Sequence, residues 1–371
     1  MMSARFLTVV LERAFNMRDG CGREIDYMRI SVIDSCNLNC YYCNPCDNNE
    51  HCHALNILSV KEVLCIVRAA TRLGIKHFRL TGGEPLLHPQ LDEMVLQIKK
   101  IPGVSSVSLT TNAVLLAQHA KWLKEAGIDS INVSLDTIDA SEYERITKKT
   151  LLEEVKHGIN AAIECGIRVK INVVLTPQTD VVALTRYVAK KGTDIRFIEM
   201  MPVGEGHTNG VEPYKKVIGT LSKLYGEPCR INTEKTKEIN SGNDKRKIPD
   251  NGPAEYYIFP ELGIRVGLIQ AIHGKFCATC NRIRVTADGR LMPCLGSSVT
   301  MDLVPDSWDF ADDVEKDFAI VRALRAAIKA KPRCHNFNDN AVTYTKTTET
   351  KTTEIEAAEV NAARNMSRIG G

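Results

Sequence analysis

Six times between residues 27 and 201, a short Val- and Ile-rich apolar run gives way to an amphipathic stretch. No other feature restricts the fold so tightly. The runs at 28–33, 77–81, 104–110, 130–135, 168–175 and 194–200 include several that are almost continuously apolar, as strands buried on both faces of a parallel sheet must be. Between them the spacing predicts helices over 89–100, 115–126, 151–165 and 181–191, and one opening at Ser59. That last one pairs Ser59 with Glu62 in a capping box and places Val60, Val63, Leu64, Val67 and Ala70 on one face. Gly74, Gly127 and Gly166 each follow a helix, where a left-handed cap favours glycine. Six right-handed βα units fall short of a closed eightfold barrel. The expected α/β fold is therefore a partial (β/α)6 TIM-like barrel with an open side and its chemistry at the C-terminal strand ends.

After Gly226 the pattern changes. Residues 228–255 read as a polar, irregular crossing segment, apolar runs return at 256–259 and 264–269, and a helix is expected near 314–329. The Thr-dominated stretch at 343–353 reads as flexible. These changes divide the chain into an extension (1–25), the barrel (26–225), a C-terminal region (226–335) and a tail (336–371) ending in Gly370-Gly371. A net charge of +3 argues against a nucleic-acid partner, so any anion must be met by a few placed Arg and Lys side chains. No run reaches membrane-spanning length, and residues 6–11, expected as part of an amphipathic helix, are too short and charge-flanked for a signal peptide, which points to the cytoplasm. Thirteen cysteines are too sparse for a disulfide scaffold, and six of them fall in two spaced groups, the pattern of metal ligands in a reducing compartment.

Cys36, Cys40 and Cys43 follow the first strand as C-x3-C-x2-C, with Tyr42 before the last. Three thiolates on a four-iron cubane leave one iron without a protein ligand, and this spacing resembles the signature of radical S-adenosylmethionine (SAM) enzymes. Cys277, Cys280 and Cys294 form a second trio, which Cys334 could complete. A zinc site built from Cys40, Cys43, Cys277 and Cys280 would leave Cys36 and Cys294 unexplained. With Gly82-Gly83-Glu84-Pro85 after the second strand and the terminal Gly-Gly, the chain resembles the GTP 3′,8-cyclase family over about 22–330 and again at 366–371.

The resemblance implies a C-terminal segment closing the open side, two [4Fe–4S] clusters, SAM on the first, and GTP held at the second. It implies that a 5′-deoxyadenosyl radical takes the 3′ hydrogen of GTP and that C3′ then adds to C8 of guanine. Tyr42, Gly83, Glu84, Ser134 and Met201 match SAM contacts, Gly83 admitting the methionyl group and Glu84 accepting its ammonium. Arg29, Arg79, Thr110, Lys170, Arg282, Ile283 and Arg284 match GTP contacts, the guanidiniums being suited to bidentate phosphate binding. Arg29, Arg282, Arg284, Gly370 and Gly371 match catalytic positions, the glycine pair reaching into the site. No G-x4-G-K-[ST] phosphate loop occurs. A flavodoxin or ferredoxin as electron donor, cyclic pyranopterin monophosphate synthase as the next enzyme, and a monomer or homodimer follow from the same resemblance. Departures include Ser35 for a usual arginine, Ile33 for a common threonine, His77 for a common basic residue, the crowding of Cys46, His51, Cys52 and His53, and the Thr-rich tail. Two other readings are a radical SAM enzyme modifying peptides or proteins, and a non-catalytic zinc or metal-binding module.

Overall fold

The computed structural model describes residues 17–43, 56–202, 210–231, 252–297, 299–303, 313–335 and 337. Within it the alternation builds β1 (Tyr27–Ser31), α1 (Val60–Arg72), β2 (His77–Thr81), α2 (Leu91–Lys99), β3 (Ser106–Thr111), α3 (Leu116–Glu125) and β4 (Ser130–Ser134). It continues through α4 (Ala140–Thr147), α5 (Leu152–Glu164), β5 (Val169–Val174), α6 (Val181–Lys190) and β6 (Asp194–Ile198). Each of these strands lies parallel to its successor. The capping box forms at α1: Ser59 Oγ accepts from Glu62 N at 3.3 Å, and Glu62 Oε2 accepts from Ser59 N at 2.7 Å. Gly74, Gly127 and Gly166 adopt φ of +86°, +89° and +69°, as a left-handed cap requires. Helix α4 was not expected. It buries only Tyr143, Ile146 and Thr147, too few for a readable period, and starts from the Asp139 carboxylate accepting from Glu142 N at 2.8 Å.

The C-terminal region enlarges the sheet at both edges. After α7 (Gly219–Tyr225), β7 (Cys229–Ile231) and β8 (Glu255–Ile258), strand β9 (Arg265–Ile269) joins β6 in parallel. Strand β10 (Arg282–Val285) joins β1 in parallel at the other edge, followed by β11 (Arg290–Met292), β12 (Met301–Asp302) and α8 (Asp313–Lys329). Among the described residues the result is one 12-stranded sheet ordered β12-β11-β10-β1-β2-β3-β4-β5-β6-β9-β8-β7, a partial TIM-like barrel that does not close through strand pairing. Residues 270–281 run from β9, which flanks β6, to β10, which flanks β1, and so cross from one side of the six barrel strands to the other. Residues 229–231, expected as irregular, pair with β8 instead.

A continuous core of fully buried aliphatic and aromatic side chains, among them Met28, Ile30, Phe78, Leu80, Ile131 and Phe197, lies between the sheet and its helices. Alternate residues point into the barrel and stay polar, which divides packing from chemistry along each strand. Helix α8 packs on α1, with Arg72 and Asp317 paired at 2.8 Å. No helix among the described residues is long and apolar enough to cross a membrane. Residues 6–11, Cys46, His51, Cys52, His53, the 343–353 stretch, Gly370 and Gly371 lie outside the described residues.

Candidate active site

A cavity of about 670 Å³ fills the open barrel, and all six cysteines of the two trios line it. Arg29, Arg79, Thr110, Lys170, Arg282 and Arg284 line it too, as do Tyr42, Gly83, Ser134 and Met201. The trios enter from opposite ends. Strands β1 and β10 run parallel with Tyr27 opposite Arg282. Cys36 follows the end of β1, whereas Cys280 precedes the start of β10, a separation of about 13 Å or more at 3.3 Å per residue. Strand β11 runs back antiparallel and returns Cys294 to the Cys280 end. A single zinc would need its sulfurs within about 4 Å of one another, and among the described residues no three Cys, His, Asp or Glu side chains come together to hold one ion, so the mixed four-cysteine site is excluded. Cys334 is exposed and does not line the cavity, which leaves the second trio at three.

Each trio suits a cationic cluster by its donor chemistry. No disulfide engages the described cysteines. Burial pushes the Cys36 thiol up to about 11 and raises Cys40 further, with Cys43, Asp136 and Cys36 adding repulsion at Cys40. Several thiolates this close are tolerable only around a positive core. Among the described residues no three Cys, His, Asp or Glu side chains converge on a single ion, whereas a four-iron body spreads its ligands more widely.

The first cysteine loop rests on Gly82-Gly83. A Cβ on Gly83 would lie 2.1 Å from the Ser35 carbonyl oxygen, and one on Gly82 would lie 2.3 Å from that of Ile33. Gly83 N and Glu84 N donate to Ile33 O and Ser35 O, each at 2.8 Å. Asn112 reaches in from the end of β3, its Nδ2 donating to Asn37 Oδ1 at 2.7 Å and lying 3.8 Å from Cys36 Sγ. Tyr42 donates its hydroxyl to Asp136 at 2.6 Å, and burial raises that carboxyl to about 6.

Two residues expected as contacts keep their side chains out of the cavity lining. Glu84 is fully buried and absent from the lining, with its oxygens accepting from Leu86 N, Thr111 Oγ1 and Asn112 N. It braces Asn112 against the cysteine loop instead of offering its carboxylate to the cavity, and burial lifts its pKa to about 7. Ile283 turns its side chain into the core, because on β10 it alternates with Arg282 and Arg284, which face inward.

An arginine wall is built by register. Arg284, Arg29 and Arg79 sit side by side across β10, β1 and β2. Burial and the neighbouring Arg284 and Arg282 charges hold Arg29 well below its usual range. Arg79 Nε donates to the Tyr27 hydroxyl, and the Arg282 guanidinium lies 5.6 Å from the Tyr27 ring centre. Burial alone would raise the Tyr27 phenol, but Arg79, Arg29 and Arg282 outweigh it and lower it to about 8. Crowded cations of this kind call for an anion. Arg196, overlooked in the sequence, also lines the cavity. Its Nε donates to Asn172 at 2.9 Å, while Nη2 is buried without a hydrogen-bond partner among the described residues, as is Nε of Arg282. His77 bonds Ser106 Oγ at 2.8 Å, and burial lowers its pKa, so it adds no charge at neutral pH.

The crossing segment is fastened at both ends. Glu199, at the end of β6, accepts from Ile272 N at 2.7 Å, from His273 N at 3.1 Å and from the His273 ring. Arg23 pairs with Asp19 at 2.5 Å and donates to the carbonyls of Cys277, Pro332 and Arg333 at 2.7, 2.6 and 3.2 Å. Neither residue has a sequence signature.

The chain is similar to known proteins. The chain is 35% identical over 324 residues to the GTP 3′,8-cyclase of Clostridium perfringens strain SM101, covering 86% of this chain and 95% of that protein. The Petrotoga mobilis enzyme of the same name is also 35% identical, over 87% of this chain and 96% of that one. The chain belongs to the GTP 3′,8-cyclase family. Residues 30–183 match the radical SAM superfamily and 193–337 the molybdenum cofactor synthesis C-terminal family. Among solved structures, Streptococcus suis SuiB bound to S-adenosylmethionine aligns with TM-score 0.54 at 14% identity, over 81% of this chain and 65% of SuiB. Native anSMEcpe with bound AdoMet aligns with TM-score 0.51 at 18% identity, over 72% of this chain and 74% of that one. These likenesses show the fold alone. Family membership makes the chain a radical SAM enzyme using iron–sulfur chemistry.

Proposed function

We propose that this GTP 3′,8-cyclase family member converts GTP to (8S)-3′,8-cyclo-7,8-dihydroguanosine 5′-triphosphate, the first step of molybdenum cofactor biosynthesis. The observation that carries the reading is one cavity with a cysteine trio at each end and an arginine wall between them. Cys36, Cys40 and Cys43 would hold one [4Fe–4S] cluster with SAM, and Cys277, Cys280 and Cys294 a second. When bound, these groups supply the 5′-deoxyadenosyl radical at one end and a metal anchor for the purine at the other.

The protein's own residues do the rest. Arg29, Arg79, Arg284, Lys170 and Arg196 meet the triphosphate, with donors fixed on strands before substrate arrives. Arg282 lies 5.6 Å from the Tyr27 ring centre and its charge acts on Cys280, which puts positive charge where the base would rest. Tyr42, Gly83, Ser134 and Met201 lie around the SAM end. The crossing segment, held by Glu199 and Arg23, keeps solvent from the open side. A flavodoxin or ferredoxin in a reducing cytoplasm suits the free cysteines. Anaerobic protein incubated with SAM, dithionite and each of the four nucleoside triphosphates tests the reading. Only GTP should give 5′-deoxyadenosine together with a cyclised nucleotide, and equal turnover of ATP would overturn it.

A further inference from the structure

Lys331, which follows α8, is 5% exposed and has no carboxylate partner among the described residues. Its Nζ donates to the Arg282 carbonyl at 2.7 Å and the Pro293 carbonyl at 2.8 Å. Those residues flank Cys280 and Cys294. Strands β10 and β11 pair last at Arg284 and Met292, short of the two cysteines. The ammonium bridges the gap where the next rung would be. Its positive charge acts on the Cys280 and Cys294 sulfurs.

Burying an unpaired cation costs several kcal/mol unless something anionic shares the site. Two carbonyls orient the ammonium but leave its charge uncancelled. Three thiolates on a cubane would supply the missing negative charge. We infer that Lys331 is the positioning and charge-compensating residue of the second cluster site: it sets the Cys280–Cys294 separation and makes reduction of the cluster easier. The inference rests on the two-cluster reading and deepens it.

The test uses the full chain with Cys36, Cys40 and Cys43 changed to Ala, so that only the second site reports. Anaerobic reconstitution should load about four irons per chain. No iron here would overturn the two-cluster reading itself, apart from any role of Lys331. Adding Lys331→Met should lower the reduced-to-oxidised ratio at a fixed potential at least tenfold by electron paramagnetic resonance, about 59 mV for one electron. Lys331→Arg should restore the parental ratio. Loss of all iron in the Met variant, with far-UV circular dichroism unchanged, also supports the positioning role. An unaltered ratio in the Met variant overturns the inference. If the Met variant unfolds, Lys331→Gln decides, since it can still donate to the carbonyls but carries no charge: a parental ratio refutes the inference and a tenfold fall supports it.

Discussion

Replacing Gly83 with Ala should detach the first cysteine loop from the sheet. The added Cβ would meet Ser35 O at 2.1 Å, Ser35 C at 2.4 Å and Asp34 O at 2.7 Å, all of them backbone atoms with no rotamer to yield. Ordinary contact begins near 3.4 Å, so the loop must retreat by 3.4 − 2.1, about 1.3 Å. That movement breaks the 2.8 Å bonds from Gly83 N to Ile33 O and from Glu84 N to Ser35 O. Each is worth about 1 kcal/mol net, and overpacking adds about 1–3 kcal/mol. The sum, about 3–5 kcal/mol, is a large part of a typical domain's 5–15 kcal/mol. Urea unfolding followed by circular dichroism should show the loss, and reconstituted iron should fall by about half. Gly219→Ala is the control: nothing lies within 4 Å of its Cβ, φ is −61°, and stability should hold or rise by up to about 1 kcal/mol. A Gly83→Ala protein with the wild-type midpoint and full iron would refute the clash.

Four further outcomes are expected. Cys277→Ser should keep SAM cleavage and lose cyclised nucleotide, as seen by chromatography of anaerobic reactions; normal product would remove the second trio from the mechanism. Arg196→Ala should weaken GTP binding at least tenfold, about 1.4 kcal/mol, with SAM affinity unchanged by calorimetry. Tyr27, lowered to about 8, should ionise about two units before an ordinary tyrosine at 295 nm, and Tyr27→Phe should abolish that phase. A depressed acid stabilises the fold above its unfolded value, so this contribution is complete above about pH 10 and is lost as pH falls toward 8. Arg23→Met strands the buried Asp19 and three carbonyls, and should cost about 3–5 kcal/mol in thermal unfolding.

The six barrel strands and most of the helices between them were legible because their signals are local. Strand β2 matches its apolar run end to end, and α5 and α6 differ from their expected bounds only at the termini. The cysteine trios were equally legible, since ligand spacing lies within short stretches of chain. Arg196, Asn112 and Asp136 were not. Each is unremarkable beside its neighbours and gains meaning only from the strand it faces: Arg196 from Asn172, Asn112 from Cys36 and Asp136 from Tyr42. Ile283 and Glu84 turn their side chains away from the cavity for a related reason. Motif matching selects a stretch of residues, while the pleat and the turn decide which of them face the cavity.

By itself, the sequence determined the repeating βα plan and the two sets of three sulfurs, because periodicity and ligand spacing are written along the chain. Only the tertiary structure decided that β9 and β10 join opposite edges of the sheet, so that sulfurs more than two hundred residues apart share one cavity from opposite ends. Parallel pairing made that choice, since register between distant strands depends on which partners can bury their backbone hydrogen bonds together, a condition no single stretch of residues records.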